Sequence, residues 1–162
     1  MKRLVCFIII LSLCLCSCGE RLDLSEKFAL PLTITVSTNG FADFTAYIFE
    51  DHSEIRFNSE HIFEGTTLYF SESGNQASVG DSFTRSVKKG CFPAQEALCH
   101  AISGISYAKE MQISQNEIKY TIDEMTVIVY YDIDTETVIA IETEEGGRRF
   151  CFDVISLEPY EV

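Results

Sequence analysis

Short runs in which apolar and polar residues alternate fill most of the chain after residue 28. In residues 32–37, for example, Leu32, Ile34 and Val36 alternate with hydroxyl side chains. This alternation is typical of a β-strand that buries one face. Such runs recur to the end of the chain, separated by turn residues at intervals of about eight to twelve positions. The pattern therefore predicts one antiparallel sheet of about nine strands.

A single segment, Pro93–Ser103, has the period of a helix instead of a strand. Proline is favourable at the first helical position, and Gly104 ends the pattern. The apolar residues recur at helical spacing on one face: Ala94, Ala97, Leu98, Ala101 and Ile102. Because this face is narrow and rich in small residues, we predict that the helix lies flat against the sheet. The predicted fold class is mainly β, of the α+β type, with one short helix packed on the sheet.

Residues 1–17 have the three parts of a secretory signal peptide. Lys2 and Arg3 give a positive start, residues 4–16 are almost entirely apolar, and Ser17 supplies a small residue before a cysteine. The apolar run is shorter than the roughly 20 residues that a helix needs to span a bilayer. The pattern therefore predicts secretion across the membrane rather than a membrane-spanning helix.

Cys18 resembles the lipidated cysteine in the lipobox of bacterial lipoproteins, which becomes the first residue of the mature protein. Cys14 and Cys16 follow leucines, which are too bulky for a cleavage pocket that prefers small residues, whereas Cys18 follows Ser17. The resemblance implies acylation of Cys18 by fatty acids such as palmitate. It also implies a lipid-anchored position on the extracytoplasmic face of the cell membrane. Residues 18–27 are polar and charged, and they predict a short tether between lipid and domain.

Residues 28–162 have the length of one domain and are strongly acidic. The net charge of the whole chain is −13, and it becomes −15 without the signal peptide, because Lys2 and Arg3 are lost with no acidic residue. Such a charge repels nucleic-acid phosphates and anionic lipid head groups. We therefore expect no nucleic-acid partner, and we expect membrane contact through the lipid on Cys18 rather than through the protein surface.

The mature chain has three cysteines besides Cys18, namely Cys91, Cys99 and Cys151. An odd number leaves at least one thiol unpaired within the chain. Cys91 and Cys99 would lie about 12 Å apart along a helix, beyond the ~7 Å limit for a disulfide. A disulfide, if one forms, would join Cys151 to one of the other two cysteines. The favoured prediction is that the cysteines are free and buried.

No residue pattern in the sequence indicates an enzyme, a metal site or a cofactor. Asp132, Asp134 and Glu136 have the spacing that begins a calcium loop, but Thr137 stands where the turn requires glycine. The three histidines have no partner at metal-ligand spacing. Motifs for an activated nucleophile and for a phosphate-binding loop are absent from the sequence. We therefore predict no catalytic residue, no metal and no cofactor.

The order of the predicted elements resembles a group of Gram-positive lipoproteins whose domain is similar to the LolA/LppX half-barrel. The likeness is carried by the sequence SEHIFEG at residues 59–65, by the helix that begins at Pro93, and by the pattern YDxxT at residues 131–135. It covers residues 30–157 and implies a curved antiparallel half-barrel with a helix on its concave face. Some members of the superfamily carry lipids or lipoproteins, and others are sensors or partners of envelope machinery.

Two functions follow from this likeness, and the first is a protein-interaction or sensing module of the cell envelope. The alternative is a carrier that holds an acyl chain or another apolar ligand between the sheet and the helix. A single helix offers little to gate a cavity, so the interaction module is favoured. A cavity would be lined by residues of the sheet and the helix: Phe44, Phe57, Phe70, Leu98, Ile102, Phe150 and Phe152. A protein partner would contact a basic loop in the otherwise acidic domain: Arg85, Lys88 and Lys89.

Overall fold

The computed structural model describes residues 27–38, 43–58, 62–80, 83–114 and 116–160. The predicted signal peptide at residues 1–17, the predicted lipidation site Cys18 and nearly all of the tether lie outside these ranges. The start of the SEHIFEG segment also lies outside them, and its last four residues, 62–65, form a turn. Among the described helices, none is long and apolar enough to cross a membrane.

The described part of the chain contains eleven β-strands and the helix α1, followed by a short 3₁₀ helix. In chain order the elements are β1 Leu32–Ser37, β2 Phe44–Ile48, β3 His52–Phe57, β4 Thr66–Ser71, β5 Asn75–Val79, β6 Phe83–Val87, α1 Pro93–Ser103, the 3₁₀ helix Ile105–Tyr107, β7 Lys109–Ile113, β8 Glu117–Ile122, β9 Met125–Asp132, β10 Thr137–Glu145 and β11 Arg148–Pro159.

All eleven strands belong to one sheet with the order β6-β5-β4-β3-β2-β1-β11-β10-β9-β8-β7. Within each half of the sheet, consecutive strands are antiparallel neighbours. The two halves join at the centre, where β1 pairs with β11 and Leu32 lies opposite Pro159. The sheet is open, because β6 and β7 form its two edges. The prediction of a mainly β, antiparallel fold is therefore confirmed.

The predicted number of about nine strands is wrong, because the sheet has eleven. One strand that the sequence pattern does not indicate is β6, which lies where a basic loop was predicted. Its apolar residues Phe83 and Val87 flank Arg85 on the same side of the strand, so the apolar–polar alternation is weak. An edge strand with exposed side chains needs no strong alternation, because pairing with β5 holds it in place.

One face of the sheet carries the core, and we call it the apolar face. Register partners in β1 to β4 are fully buried there: Ile34, Ala46, Ile55 and Leu68. Their counterparts in β8 to β11 are equally buried: Ile118, Val129, Ile141 and Phe152. Burial of a large apolar side chain contributes about 1.5–3 kcal/mol. The alternation read from the sequence thus becomes a continuous apolar layer across the middle of the sheet.

The helix α1 packs on the apolar face against β2 and β10, as predicted. Its Leu98 has no exposed surface. The hydroxyl of Tyr120, in β8, donates a hydrogen bond to the carbonyl oxygen of Ala101 over 3.1 Å. Directly after α1, a Cβ atom on Gly104 would lie 2.5 Å from the Cδ1 of Ile122. Glycine at this position therefore lets the end of the helix approach β8 closely.

Candidate functional site

The residues predicted to line a cavity lie together on the apolar face and on α1. Five of the seven are at most 7% exposed: Phe44, Phe57, Leu98, Ile102 and Phe152. Phe70 and Phe150 are partly buried and pack against the same core. All seven therefore belong to one apolar cluster.

Aromatic side chains in this cluster contact one another, mostly edge to face. The ring centroid of Phe44 lies 6.3 Å from that of Phe57 and 6.4 Å from that of Phe152. Phe57 also contacts Phe63 at 5.3 Å, and Phe63 contacts Phe92 at 6.1 Å. Each pair of this kind adds about 0.5–1.5 kcal/mol beyond the burial of its area. The rings of Phe44, Phe57 and Phe152 are buried and pack as a core, which weighs against an acyl-chain cavity at the same residues.

One buried polar group on the apolar face has no partner among the described residues. Thr143 of β10 is 1% exposed and lies in register with Val127 and Phe150. Its Oγ1 atom makes no hydrogen bond with any described atom. A buried hydroxyl without a hydrogen bond costs about 1–3 kcal/mol. Thr143 is therefore the position at which a filled core and a ligand site can be distinguished by experiment.

Replacing Thr143 with valine is expected to stabilise the domain by about 1–2 kcal/mol, because valine keeps the shape and removes the unpaired hydroxyl. Urea unfolding of the purified protein would show this as a higher midpoint with an unchanged slope. Thr143→Ser is the matched control: it keeps the hydroxyl, loses a methyl group and is expected to be less stable than the parent. A Thr143→Val protein less stable than the parent would contradict a filled core and indicate a bound partner for the hydroxyl.

The three cysteines of the described domain are free. Cys99 is buried on α1, and burial raises its pKa to about 12, so the thiol stays protonated at neutral pH. Cys91 and Cys151 are exposed, which corrects the prediction that the free cysteines are buried. Partial burial, together with the Glu142 carboxylate, raises the pKa of Cys151. Neither Cys99 nor Cys151 is therefore activated as a nucleophile.

On the opposite face of the sheet, Glu142 of β10 accepts hydrogen bonds from three neighbouring side chains. The donors are the Arg149 guanidinium, the Tyr130 hydroxyl at 3.3 Å and the Cys151 thiol at 3.5 Å. Partial burial disfavours the charged carboxylate, but the hydrogen bonds and the positive charge of Arg149 outweigh burial and lower the pKa of Glu142. This carboxylate holds together a surface network across β9, β10 and β11.

Within the described ranges, no group of three or more acidic, histidine or cysteine side chains could hold a metal ion. His52 and His100 contact nearby acidic side chains on the surface, and His61 lies outside the described residues. Asp132, which begins the calcium-like spacing, accepts a hydrogen bond from the backbone N–H of Asp134 at 2.8 Å. The Asp132 side chain is therefore bonded within the turn at residues 133–136, which connects β9 to β10.

The basic residues predicted to contact a partner lie along and just beyond the edge strand β6. Arg85 is exposed at the middle of β6, and therefore belongs to a strand rather than to the predicted loop. Lys88 and Lys89 are exposed directly after this strand. The backbone N–H of Gly90 donates to both carboxylate oxygens of Glu96, at 2.9 and 2.8 Å. The chain that carries the two lysines is thereby attached to the first turn of α1.

An exposed apolar pair adjoins these basic residues. Val79 and Phe83 lie opposite each other in β5 and β6, with 54% and 57% of their surface exposed. Both lie on the apolar face, in step with Ala77, which pairs with the buried Leu68. They stay exposed because α1 packs against β2 and β10 instead. We call the combined surface the β6 edge surface: Val79, Phe83, Arg85, Lys88 and Lys89.

Only the charges of the β6 edge surface were predicted from the sequence. The apolar pair was missed, because Val79 and Phe83 face each other only through the register of β5 with β6. A signal was present in the run Phe83-Thr84-Arg85-Ser86-Val87, in which large and small side chains alternate around one charge. A charged residue at the centre of a short strand is typical of an exposed edge.

Comparisons with known proteins do not assign this surface. The chain matches no protein-family model and no curated protein sequence.

Proposed function

We propose that this protein is a lipid-anchored interaction or sensing module on the extracytoplasmic face of the cell membrane. The observation that carries the proposal is the β6 edge surface, where three basic side chains adjoin two exposed apolar ones. This surface belongs to a chain whose net charge is −13. Local charge opposite to that of the whole molecule steers a complementary partner, and exposed apolar side chains gain from being covered. The partner of such a surface is an envelope protein.

The predicted lipid on Cys18 gives the module its position in this proposal. Ten tether residues, 18–27, reach at most about 35 Å when fully extended. The domain would therefore stay close to the membrane surface. A partner in the same membrane would meet the β6 edge surface at a high effective concentration, so even a modest intrinsic affinity would suffice.

A half-barrel of the LolA/LppX type is the fold that we propose for the module. An open antiparallel sheet with α1 against its apolar face supports this likeness. An open sheet also has two free edges, whereas a closed barrel has none. The likeness to the half-barrel and the proposed contact at β6 therefore both depend on an open sheet.

A carrier of an acyl chain or another apolar ligand is the second candidate. The unpaired hydroxyl of Thr143 favours it, because a polar group of a ligand could bond there. The contacts of Phe44 with Phe57 and Phe152 weigh against it, because these rings fill the space between them. Native mass spectrometry of the protein purified from its own host separates the two candidates. A non-covalently bound lipid would support the carrier, and its absence would support the module.

Photocross-linking in living cells of the native host tests the interaction module. A photoreactive amino acid in place of Lys89 is expected to give a discrete protein adduct that disappears when Arg85→Glu is added. The same amino acid in place of Lys119, an exposed residue of β8, is the matched control and is expected to give no such adduct. Identical products from both positions, or none from Lys89, would refute the proposed contact.

A further inference from the structure

We infer that the β6 edge surface binds an extended, acidic segment of its partner, which adds to the sheet as a further strand next to β6. This inference rests on the proposed function and specifies the chemistry of the partner. Strand addition of this kind takes its affinity from backbone hydrogen bonds and its specificity from alternate side chains. Three features of β6 support it: its regular edge, its uncovered apolar face and its unpaired charge.

The edge of β6 is regular enough to serve as a template. Its five residues pair with β5 in unbroken register, from Asn75 opposite Val87 to Val79 opposite Phe83. On its other side, no described strand pairs with it. The opposite edge of the sheet differs, because the pairing of β7 with β8 shifts register between Lys109 and Gln112. A regular edge leaves a row of backbone N–H and C=O groups available to an incoming strand, whereas an irregular one disrupts that row.

The side chains of β6 define what the incoming strand must carry. Phe83, Arg85 and Val87 alternate along the apolar face, and Phe83 is 57% exposed. Directly opposite positions of neighbouring strands place their Cβ atoms about 4.5–5.5 Å apart. Side chains on one face of the added strand would therefore contact these three residues in turn. The matching pattern is an apolar residue, an acidic residue and an apolar residue at alternate positions.

Arg85 selects the acidic residue. Among the described residues, no salt bridge or hydrogen bond engages its guanidinium. An entirely apolar strand laid beside β6 would cover this charge without compensating it, which is unfavourable. A carboxylate at the opposite position would pair with it instead. The same side chain thus rejects apolar strands and accepts acidic ones, and Lys88 and Lys89 add attraction at one end.

A second copy of this chain does not fit the same edge. Arg85 is the central residue of Phe83–Val87, so a two-fold pairing of β6 with β6 would bring two arginines together. Like charges directly opposite in a sheet are destabilising. Two molecules with a net charge of −13 also repel each other at longer range. The occupant is therefore an acidic segment of a different protein.

Fluorescence anisotropy with labelled peptides tests this inference on the full protein, purified in detergent. The probes are the peptide TVTETVT and its counterpart TVTKTVT, whose pattern reads the same in both strand directions. The acidic peptide is expected to bind at least about fivefold more tightly, since the exchange replaces an attractive pair with a repulsive one. Arg85→Glu is expected to reverse this preference. Lys119→Glu, which makes the same charge change on β8, is expected to preserve it.

Backbone methylation distinguishes strand addition from binding by side chains alone. Two further versions of TVTETVT carry N-methyl groups on alternate sets of amides, which face opposite edges of the peptide strand. We expect one version to lose binding and the other to bind like the parent peptide. Equal binding of both versions would overturn strand addition, and an unchanged preference in Arg85→Glu would overturn the role of the charge.

Failure of this inference can be told apart from failure of the proposed function. If neither peptide binds but the cross-link at Lys89 persists in cells, the protein has a partner at this surface. In that case the partner does not bind as an added acidic strand. If the cross-link at Lys89 is also missing, the module itself is refuted. Thermal unfolding of Arg85→Glu, whose side chain is exposed, is expected to match that of the parent and shows that the variant is folded.

Discussion

The Leu98→Asp variant is expected to lose its folded state under conditions in which the parent protein remains folded. Leu98 has no exposed surface and lies in α1, between helix and sheet. Truncating such a side chain alone costs about 2–5 kcal/mol. Burying a carboxylate without a partner costs several kcal/mol more. Together, these two costs approach the entire free energy of unfolding of a typical domain, about 5–15 kcal/mol.

Circular dichroism during thermal and urea unfolding measures this effect. Leu98→Ala is expected to fold with reduced stability, which separates the loss of packing from the buried charge. His100→Asp is the matched control on the same helix, because 51% of the His100 side chain is exposed. The His100→Asp substitution is expected to lower the free energy of unfolding by no more than about 1 kcal/mol. If Leu98→Asp melts like the parent, α1 does not pack on the sheet in solution.

Replacing Cys18 with serine is expected to move the protein from the membrane fraction to the soluble fraction. Each methylene of a lipid chain contributes about 0.8 kcal/mol to membrane binding, and two chains make the anchor durable. Serine has no thiol to acylate, so the whole contribution is lost at once. Metabolic labelling with a clickable fatty acid is expected to mark the parent and leave Cys18→Ser unmarked.

The neighbouring cysteine provides the control for this experiment. Cys16 follows Leu15 rather than a small residue, so Cys16→Ser is expected to keep both its label and its membrane position. Equal labelling of the parent and Cys18→Ser would place the lipid on another residue or show that the chain carries none. If only Cys16→Ser lost its label, the lipidated cysteine would be Cys16, and the predicted cleavage site would have to move to the bond before it.

The sequence predicts most strongly the features that depend on neighbouring residues. The alternation around Ile34 and the helical spacing around Leu98 report which side of an element is buried, and both predictions are confirmed. The strand β6 was missed, because an exposed edge needs no apolar alternation. Strand register places Val79 against Phe83, and no local pattern shows which residues face each other in paired strands.

The candidate sites were also predictable only in part from the sequence. Grouping Phe44 with Phe152 as apolar neighbours was predictable, because both fall on buried faces of strands. Their edge-to-face contact was not, because it depends on the pairing of β1 with both β2 and β11. The unpaired hydroxyl of Thr143 was equally hidden, since threonine in a strand is ordinary until its surroundings are known.

The pairing of β1 with β11 also determines when the domain can finish folding. Leu32 lies opposite Pro159, so the middle of the sheet joins the two ends of the domain. Contacts between residues far apart in the chain form slowly, because the entropy of closing a long loop must be overcome first. A chain synthesised from its N-terminus cannot complete its central pairing until β11 has emerged. In the export that we propose, this delay would keep the centre of the sheet unpaired until the last strand has been made.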